Sequence, residues 1–333
     1  MNLFSKCSTV LLFNDEPSEE PDPNFFHNSG ASVDAVILLL KKGGKKILLA
    51  PKMTLRAAKE QCAFEVIQYS SKDLVKIIKK HARGKIGIDF NSVPHSRYLR
   101  LKKLFKKSPI DVSQQLEALR VQKSSDEIRK IKKAVQIAKK ILNEIEPHLS
   151  PKTTEEEIAK KLRLLCFKRG VSPSFPPIVA AGKNSASPHH IPSKKRLGKG
   201  IVLIDFGVRC ESYCSDLTRC FFLGPCKKER KKYEEAQAIF TNICKQIPRL
   251  KTIAQLANYS DSAIKKQGWG KLIHSIGHGV GIEVHEAPAI YAGSKQPLLP
   301  STTIALEPGW YGKDFGVRFE QNALITKKGV EIL

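Results

Sequence analysis

Two acidic pairs, built alike and 102 and 104 residues apart, constrain this chain more than any other feature. Asp205 and Asp216 lie in I-V-L-I-D-F-G-V-R-C-E-S-Y-C-S-D-L-T-R, and Glu307 and Glu320 in T-T-I-A-L-E-P-G-W-Y-G-K-D-F-G-V-R-F-E-Q-N. Each stretch is expected to run strand, short turn, strand. A fold at Cys210–Glu211 sets Asp205 opposite Asp216, and a fold near Lys313–Asp314 sets Glu307 opposite Glu320. Directly opposed residues share a face of a hairpin, with side chains about 5 Å apart. Like charges at that distance are unfavourable without a cation. Acids in hairpins often simply face solvent, but Asp205 and Glu307 interrupt the apolar runs Ile201–Ile204 and Ile304–Leu306. A buried acid needs a partner. Four carboxylates gathered in this way point to metal, two ions being the expected number.

At 333 residues the chain is long enough for a sizeable core and for two domains. Its 41% hydrophobic and 27% charged content is that of a soluble globular protein. The longest strongly apolar run, Ala35 to Leu40, is too short to span a bilayer. No apolar leader with a small-residue cleavage site is evident, so a cytoplasmic location is expected, with the eight cysteines as reduced thiols. None of them forms C-x-x-C, and the four between Cys210 and Cys226 read as strand packing. The net charge of +25 raises nucleic acid as a partner. The excess is divided evenly, +12 over residues 1–150 and +13 over 151–333, rather than gathered on one arm. No specific nucleic-acid binding is therefore expected, and no membrane partner.

Short apolar strands alternate with helical spacing over the first third, as in V-D-A-V-I-L-L-L, the turn Lys42–Lys45, K-I-L-L-A, the helix pattern Lys72–Ala82 and K-I-G-I-D-F. This is a small α/β domain over residues 1–120. Residues 121–333 read as a duplication. Ser124 with Glu127 opens one helix and Thr153–Glu156 a second, stopping at Gly170, before the Asp hairpin. A helix from about Lys228 to Gln246, another from Thr252 with Gln255, and then the Glu hairpin repeat that order. Two such units around a pseudo-twofold axis would form one carboxylate cage.

Before the second hairpin comes H-S-I-G-H-G-V-G-I-E-V-H-E-A-P, with His274, His278 and His285, and Gly277, Gly279 and Gly281 around His278. Glycines there allow close backbone approach. The first repeat carries His189 in N-S-A-S-P-H-H. The motifs G-H-G-V-G, H-E-x-P, D-F-G followed by S-D-x-T-R, and E-P-G followed by V-R-x-E resemble those of the metallopeptidases of the pita-bread fold. The Xaa-Pro peptidases, prolidase and aminopeptidase P, match best, and the resemblance spans nearly the whole chain. It implies an α+β pita-bread catalytic domain with internal duplication over 121–333 and a creatinase-type α/β N-terminal domain over 1–120.

The resemblance implies Asp205, Asp216, His278, Glu307 and Glu320 as ligands of two divalent ions. Asp216 and Glu320 bridge, Asp205 holds one ion, and His278 with Glu307 holds the other. Mn, Co or Fe(II) suits one imidazole among hard oxygens, and Zn also fits. A hydroxide held between the ions is the expected nucleophile. His189, His274 and His285 are implied as substrate-binding or proton-handling groups, and Glu307 as the base. Arg318 and Thr218, each two residues from a ligand on the same strand face, could brace ligand carboxylates.

Two positions depart from the family pattern. Gln321 replaces the usual acid after Glu320, on the opposite face. Ala289 stands where prolidases often carry an arginine for the dipeptide carboxylate, which leaves aminopeptidase P-like cleavage of longer peptides open. The expected activity is removal of an N-terminal residue preceding proline, from dipeptides or short peptides, with a homodimer open as the assembly. Methionine aminopeptidases usually lack such an N-terminal domain, and inactive binding relatives lose metal ligands that this chain keeps. Creatinase-like C–N hydrolysis is disfavoured on the same ground.

Overall fold

The structure, a computed structural model, describes residues 2–15 and 20–333. Its internal contacts divide the chain into two units, Met1–Arg120 and Val121–Leu333. In the first unit the strands are β1 (Thr9–Asn14), β2 (Val36–Lys41), β3 (Lys46–Pro51), β4 (Glu65–Tyr69), β5 (Ile86–Ile88) and β6 (Ile110–Asp111). They form one sheet in the order β4-β3-β2-β1-β5-β6. Pairing is antiparallel from β1 through β3 and parallel at β3/β4, β1/β5 and β5/β6. Successive strand residues face opposite sides. Val10 and Leu12 thus pack with Phe25, Leu38 and Leu116 in one layer, and Leu11 with Leu39, Ile78 and Leu101 in the other. The covering helices are α1 (Pro23–Ser29), α2 (Leu55–Gln61), α3 (Leu74–His81), α4 (His95–Phe105) and α5 (Ser113–Val121). Apolar residues on both faces leave a sheet of this kind no wet side. The β2–β3 turn needs Gly43 and Gly44, whose φ angles of 96° and 88° are strained for any other residue.

The second unit carries two helix pairs, α6 (Ser125–Ile145) with α7 (Glu155–Phe167), and α8 (Lys227–Gln246) with α9 (Ile253–Lys266). Capping boxes start three of them, at Ser124/Glu127, Thr154/Glu157 and Thr252/Gln255. Each such cap contributes about 1 kcal/mol by satisfying free N–H groups. On α6 one stripe (Ile131, Val135, Ala138, Ile141, Ile145) is buried. The second pair packs Phe240, Ile243 and Leu256 against Ile304, Leu306 and Ala323.

Its strands are β7 (Ser172–Pro173), β8 (Ile178–Ala181), β9 (Gly200–Phe206), β10 (Val208–Cys210), β11 (Tyr213–Cys214), β12 (Leu217–Leu223), β13 (Gly277–Gly279), β14 (Glu286–Ala289), β15 (Thr303–Leu306), β16 (Gly309–Tyr311), β17 (Gly316–Arg318), β18 (Gln321–Thr326) and β19 (Gly329–Ile332). The sheets run β12-β9-β8, β11-β10-β7, β14-β13-β15-β18-β19 and β16-β17, all antiparallel.

The first acidic hairpin departs from its expected register. Arg209 pairs with Cys214 and Cys210 with Tyr213, so the turn falls on Glu211 and Ser212, at φ 51° and 66°. Asp205 therefore faces Thr218, not Asp216. Neither turn residue is a glycine or asparagine, so nothing in the sequence marks the turn. A slip of two residues preserves side-chain parity, which keeps both aspartates on one face. In the second hairpin Leu306 pairs with Gln321 and Gly309 with Arg318, and this register sets Glu307 across from Glu320.

Candidate metal centre

Five side chains converge where the two hairpins and β13 meet. Asp205 lies next to the end of β9, Asp216 immediately precedes β12, and His278 is the middle residue of β13. Glu307 follows β15, and Glu320 sits between β17 and β18. The His278 Nε2 lies 3.5 Å from Asp216 Oδ2, 3.9 Å from Glu307 Oε1 and 4.0 Å from Glu320 Oε1. Donor atoms of Asp205, Asp216 and Glu320, and of His278, Glu307 and Glu320, each lie within 4.8 Å of one another. A third such group joins Asp216 and His278 to His285. The glycines beside His278 make this approach available. A Cβ on Gly277 would stand 2.0 Å from the Ala305 carbonyl oxygen, and one on Gly279 2.3 Å from that of Ala287.

The cage is short of positive charge. Burial, then Glu320, Asp205 and Glu307, push the Asp216 carboxyl well above its ordinary range. Burial and the same crowding do likewise to Glu320, and Glu307 is pushed up to about 8, chiefly by burial. Asp205 Oδ1 and Asp216 Oδ1 are buried with no hydrogen-bond partner. Burial drives His278 down to about 4, so the ring is neutral. Its Nδ1–H donates to the Gly279 carbonyl at 3.1 Å, which leaves Nε2 with a lone pair aimed into the cage. Orphaned carboxylate oxygens, an aimed imidazole nitrogen and uncompensated charge together fit divalent cations.

A polar layer holds the acids in place. Arg318 donates from Nη2 to Asp205 Oδ2 at 2.6 Å and from Nε to Thr218 Oγ1 at 2.9 Å. Thr218 Oγ1 in turn donates to Glu320 Oε2 at 2.6 Å. The Asp216 backbone N–H donates to Asn322 Oδ1 at 2.9 Å. Gln321 points away from the cage, with Oε1 accepting from Arg219 and Nε2 donating to the Leu333 carbonyl.

The cage opens into a cavity of about 630 Å³ that is also lined by His189, His274, His285 and Arg318. His285 stands edge-on to His278, with ring centroids 4.0 Å apart. His274 Nδ1 donates to the Ser275 carbonyl at 2.7 Å and lies 3.5 Å from Glu307 Oε2. Tyr311 was not anticipated from the sequence. Its hydroxyl accepts from Arg318 Nη1 at 2.8 Å and lies 2.8 Å from His274 Nε2. Burial pushes that hydroxyl up to about 12, so it stays protonated and donates to the imidazole. The signal was present in the sequence: Glu307, Gly309 and Tyr311 follow one another at the period of two that marks one face of an extended chain.

Glu155 was also missed. Buried at the start of α7, it accepts from Ala181 N (2.8 Å), Asn184 Nδ2 (2.8 Å), Ser193 N (3.1 Å) and Ser193 Oγ (2.7 Å), and His190 Nε2 is 2.8 Å away. It fastens both ends of the loop that carries His189. Nothing in the run Glu155-Glu156-Glu157 distinguishes the buried acid from its neighbours.

The model for metallopeptidase family M24 matches residues 129–327. The chain belongs to that family. Residues 5–122 match the creatinase/prolidase N-terminal domain, so this M24 chain combines an α/β creatinase-type part with an α+β pita-bread part. It is 33% identical to the Xaa-Pro dipeptidase of Pyrococcus furiosus, over 93% of this chain and 90% of that one. With the Xaa-Pro dipeptidase of Pyrococcus horikoshii it shares 34% identity, over 97% and 95%. Among solved structures, X-Pro aminopeptidase from Thermotoga maritima superposes with a TM-score of 0.86 at 29% identity, covering 98% of this chain and 95% of that one. The prolidase of Pyrococcus horikoshii gives 0.86 at 30% identity, covering 98% and 93%. M24 membership implies divalent metal ions, and the cage has the donors to hold them. No helix of the described residues is long and apolar enough to cross a membrane.

Proposed function

We propose that this M24 protein is a metal-dependent exopeptidase that hydrolyses the Xaa-Pro bond at the N-terminus of dipeptides and short peptides. The observation that carries the reading is the pair of orphaned, buried oxygens, Asp205 Oδ1 and Asp216 Oδ1, facing a peptide-sized cavity. Similarity to Xaa-Pro dipeptidases and an X-Pro aminopeptidase supports it. In this reading residues 121–333 are the catalytic domain. Asp205, Asp216, His278, Glu307 and Glu320 hold two ions, of Mn, Co, Fe or Zn. When bound, the ions neutralise the four carboxylates and bring a water near the ionisation range of neutral pH.

The chain's own groups do the rest. Glu307 takes the proton of the attacking water and passes it to the departing proline nitrogen, which must be protonated to leave. His285, beside His278, donates to the carbonyl oxygen of the scissile bond as charge builds there. The relay from Arg318 through Tyr311 fixes the ring of His274 next to Glu307. An Xaa-Pro amide has no N–H, so the substrate cannot be gripped there as an added strand. Recognition falls instead to apolar wall residues such as Phe175, Pro177, Pro188 and Pro192. The test is turnover of an Xaa-Pro dipeptide by protein stripped with a chelator and then given Mn or Co. Loss and recovery of activity is expected, and full turnover by metal-free protein, verified by elemental analysis, would overturn the reading.

A further inference from the structure

Arg219 is a half-buried guanidinium that no acid neutralises. It projects from β12 and lies 4.8 Å from the centre of the Phe319 ring. Its Nη1 donates to the carbonyls of Thr218 (2.9 Å) and Glu320 (2.6 Å), and its Nη2 to Gln321 Oε1. All three acceptors are neutral, and Arg219 forms no ion pair among the described residues. Burial pushes it below its ordinary pKa. A charge taken out of water without a counter-ion is costly.

A second cavity, of about 490 Å³, runs along β12, and Arg219 lines it. Two more cations line the same space, Lys139 from α6 and Arg230 from α8. Burial, then the charge of Arg219, holds the Lys139 ammonium below its ordinary value. Lys139 gives one proton to the Leu333 carbonyl at 2.5 Å and keeps two. Arg230 is exposed, and its guanidinium lies 4.5 Å over the Phe222 ring. Stacking orients that plane and leaves its edge donors free. The side chain of Arg230 makes no hydrogen bond or ion pair among the described residues. Among the described residues the lining holds one acid, Glu146, which is exposed and pairs with none of the three. Three cations against one acid leave the cavity positive. Two guanidinium forks and an ammonium, delivered by three different elements, suit a doubly charged ion with three outward oxygens. A planar carboxylate would engage one fork only.

We propose that Lys139, Arg219 and Arg230 form a binding site for a phosphate group, carried as free phosphate or as a small phosphomonoester. The site is separate from the cage and does not depend on the Xaa-Pro reading. Its one link to the cage is Arg219, which holds the backbone carbonyl of Glu320. Leu142 and Phe221 give the lining an apolar part that an ester's organic portion can cover.

The experiment titrates inorganic phosphate and, separately, glycerol phosphate into metal-loaded wild type, Arg230→Gln and Arg230→Lys by calorimetry, at constant ionic strength in potassium chloride. Arg230 is exposed on α8 and glutamine is a good helix former, so the fold is kept. Wild type is expected to bind with a dissociation constant near or below about 1 mM, the strength of two or three charged hydrogen bonds. Arg230→Gln should weaken binding roughly tenfold, as for loss of one such bond, and Arg230→Lys should weaken it less. Metal content should be the same in all three proteins. Tighter binding of the ester assigns Leu142 and Phe221 to its organic part, and tighter binding of free phosphate assigns the site to the ion itself. Phosphate held by the metal ions instead would bind all three proteins alike. That result, or no saturable binding to wild type, would overturn the site.

Discussion

Thr218 and Glu320 join the two acidic hairpins at the centre of the cage. Their backbones form an isolated antiparallel bridge, and the Thr218 hydroxyl donates to Glu320 Oε2 at 2.6 Å. The direction of that bond is fixed, because the same hydroxyl accepts from Arg318 Nε at 2.9 Å. Its only proton is therefore committed to Glu320. This turns Oε2 toward the supporting layer and leaves Oε1 on the side of His278, 4.0 Å from Nε2. One acidic hairpin thereby orients the candidate ligand supplied by the other.

Thr218→Val should weaken metal binding about 10- to 100-fold, the usual cost of losing a group that orients a ligand. Thr218→Ser keeps the hydroxyl and should bind nearly as wild type. Calorimetric titration of metal-stripped protein measures both. If valine binds metal as tightly as threonine, the hydroxyl does not orient Glu320.

Asp216→Ala and Gln321→Ala should separate the cage from the polar contacts that point away from it. Asp216 offers an orphaned oxygen to the cage, so its loss should abolish tight binding of the second ion. Gln321 faces Arg219 and the Leu333 carbonyl, so its loss should cost about 1–3 kcal/mol of stability and leave metal binding intact. Two tight sites in Asp216→Ala would contradict its assignment as a shared ligand.

How far the sequence could be read follows from where its signals were periodic. Strand alternation and capping residues placed the helices and both hairpins: Ser124 and Thr252 cap as they do in pattern, and the second helix, read as opening over Thr153–Glu156, is capped one residue later by Thr154 with Glu157. The Glu hairpin register was legible since Glu307 and Glu320 straddle a turn-rich Gly-Lys-Asp segment. The Asp hairpin was misread by two residues because Glu211 and Ser212 turn with positive φ and give no local sign of it. Tyr311 had the period-two spacing from Glu307 as a sign, whereas Glu155 acts through hydrogen bonds to residues 26 to 38 positions along the chain, and no local pattern encodes those.

The Glu155 hub predicts a particular response to acid. Burial opposes its ionisation, but the Ala181 N–H, His190, Ser193 and Asn184 outweigh this and hold the carboxyl below its ordinary value. A carboxyl with a depressed folded pKa stabilises above its unfolded value, about 4.3, and that contribution fades as pH falls through the folded value. Wild type should therefore lose its stability advantage over Glu155→Gln as the pH is lowered from about 5 to below 4. Denaturant melts of both proteins across that range measure it, and parallel curves would remove Glu155 as the source.

The most direct trial of the proposed chemistry is at His285. Its ring lies edge-on against His278 and lines the cavity. If it stabilises charge on the scissile carbonyl, its removal must act on the transition state and spare the resting metal centre. His285→Ala should then keep its metal content and lose on the order of a hundredfold in kcat on an Xaa-Pro substrate, with little change in KM. Wild type should cleave the matching Xaa-Ala substrate poorly if, as proposed, the wall of prolines and Phe175 recognises the ring and not an N–H. A fully active His285→Ala enzyme would remove the residue from the mechanism. Loss of metal along with activity would recast it as a ligand, in keeping with its place beside Asp216 and His278.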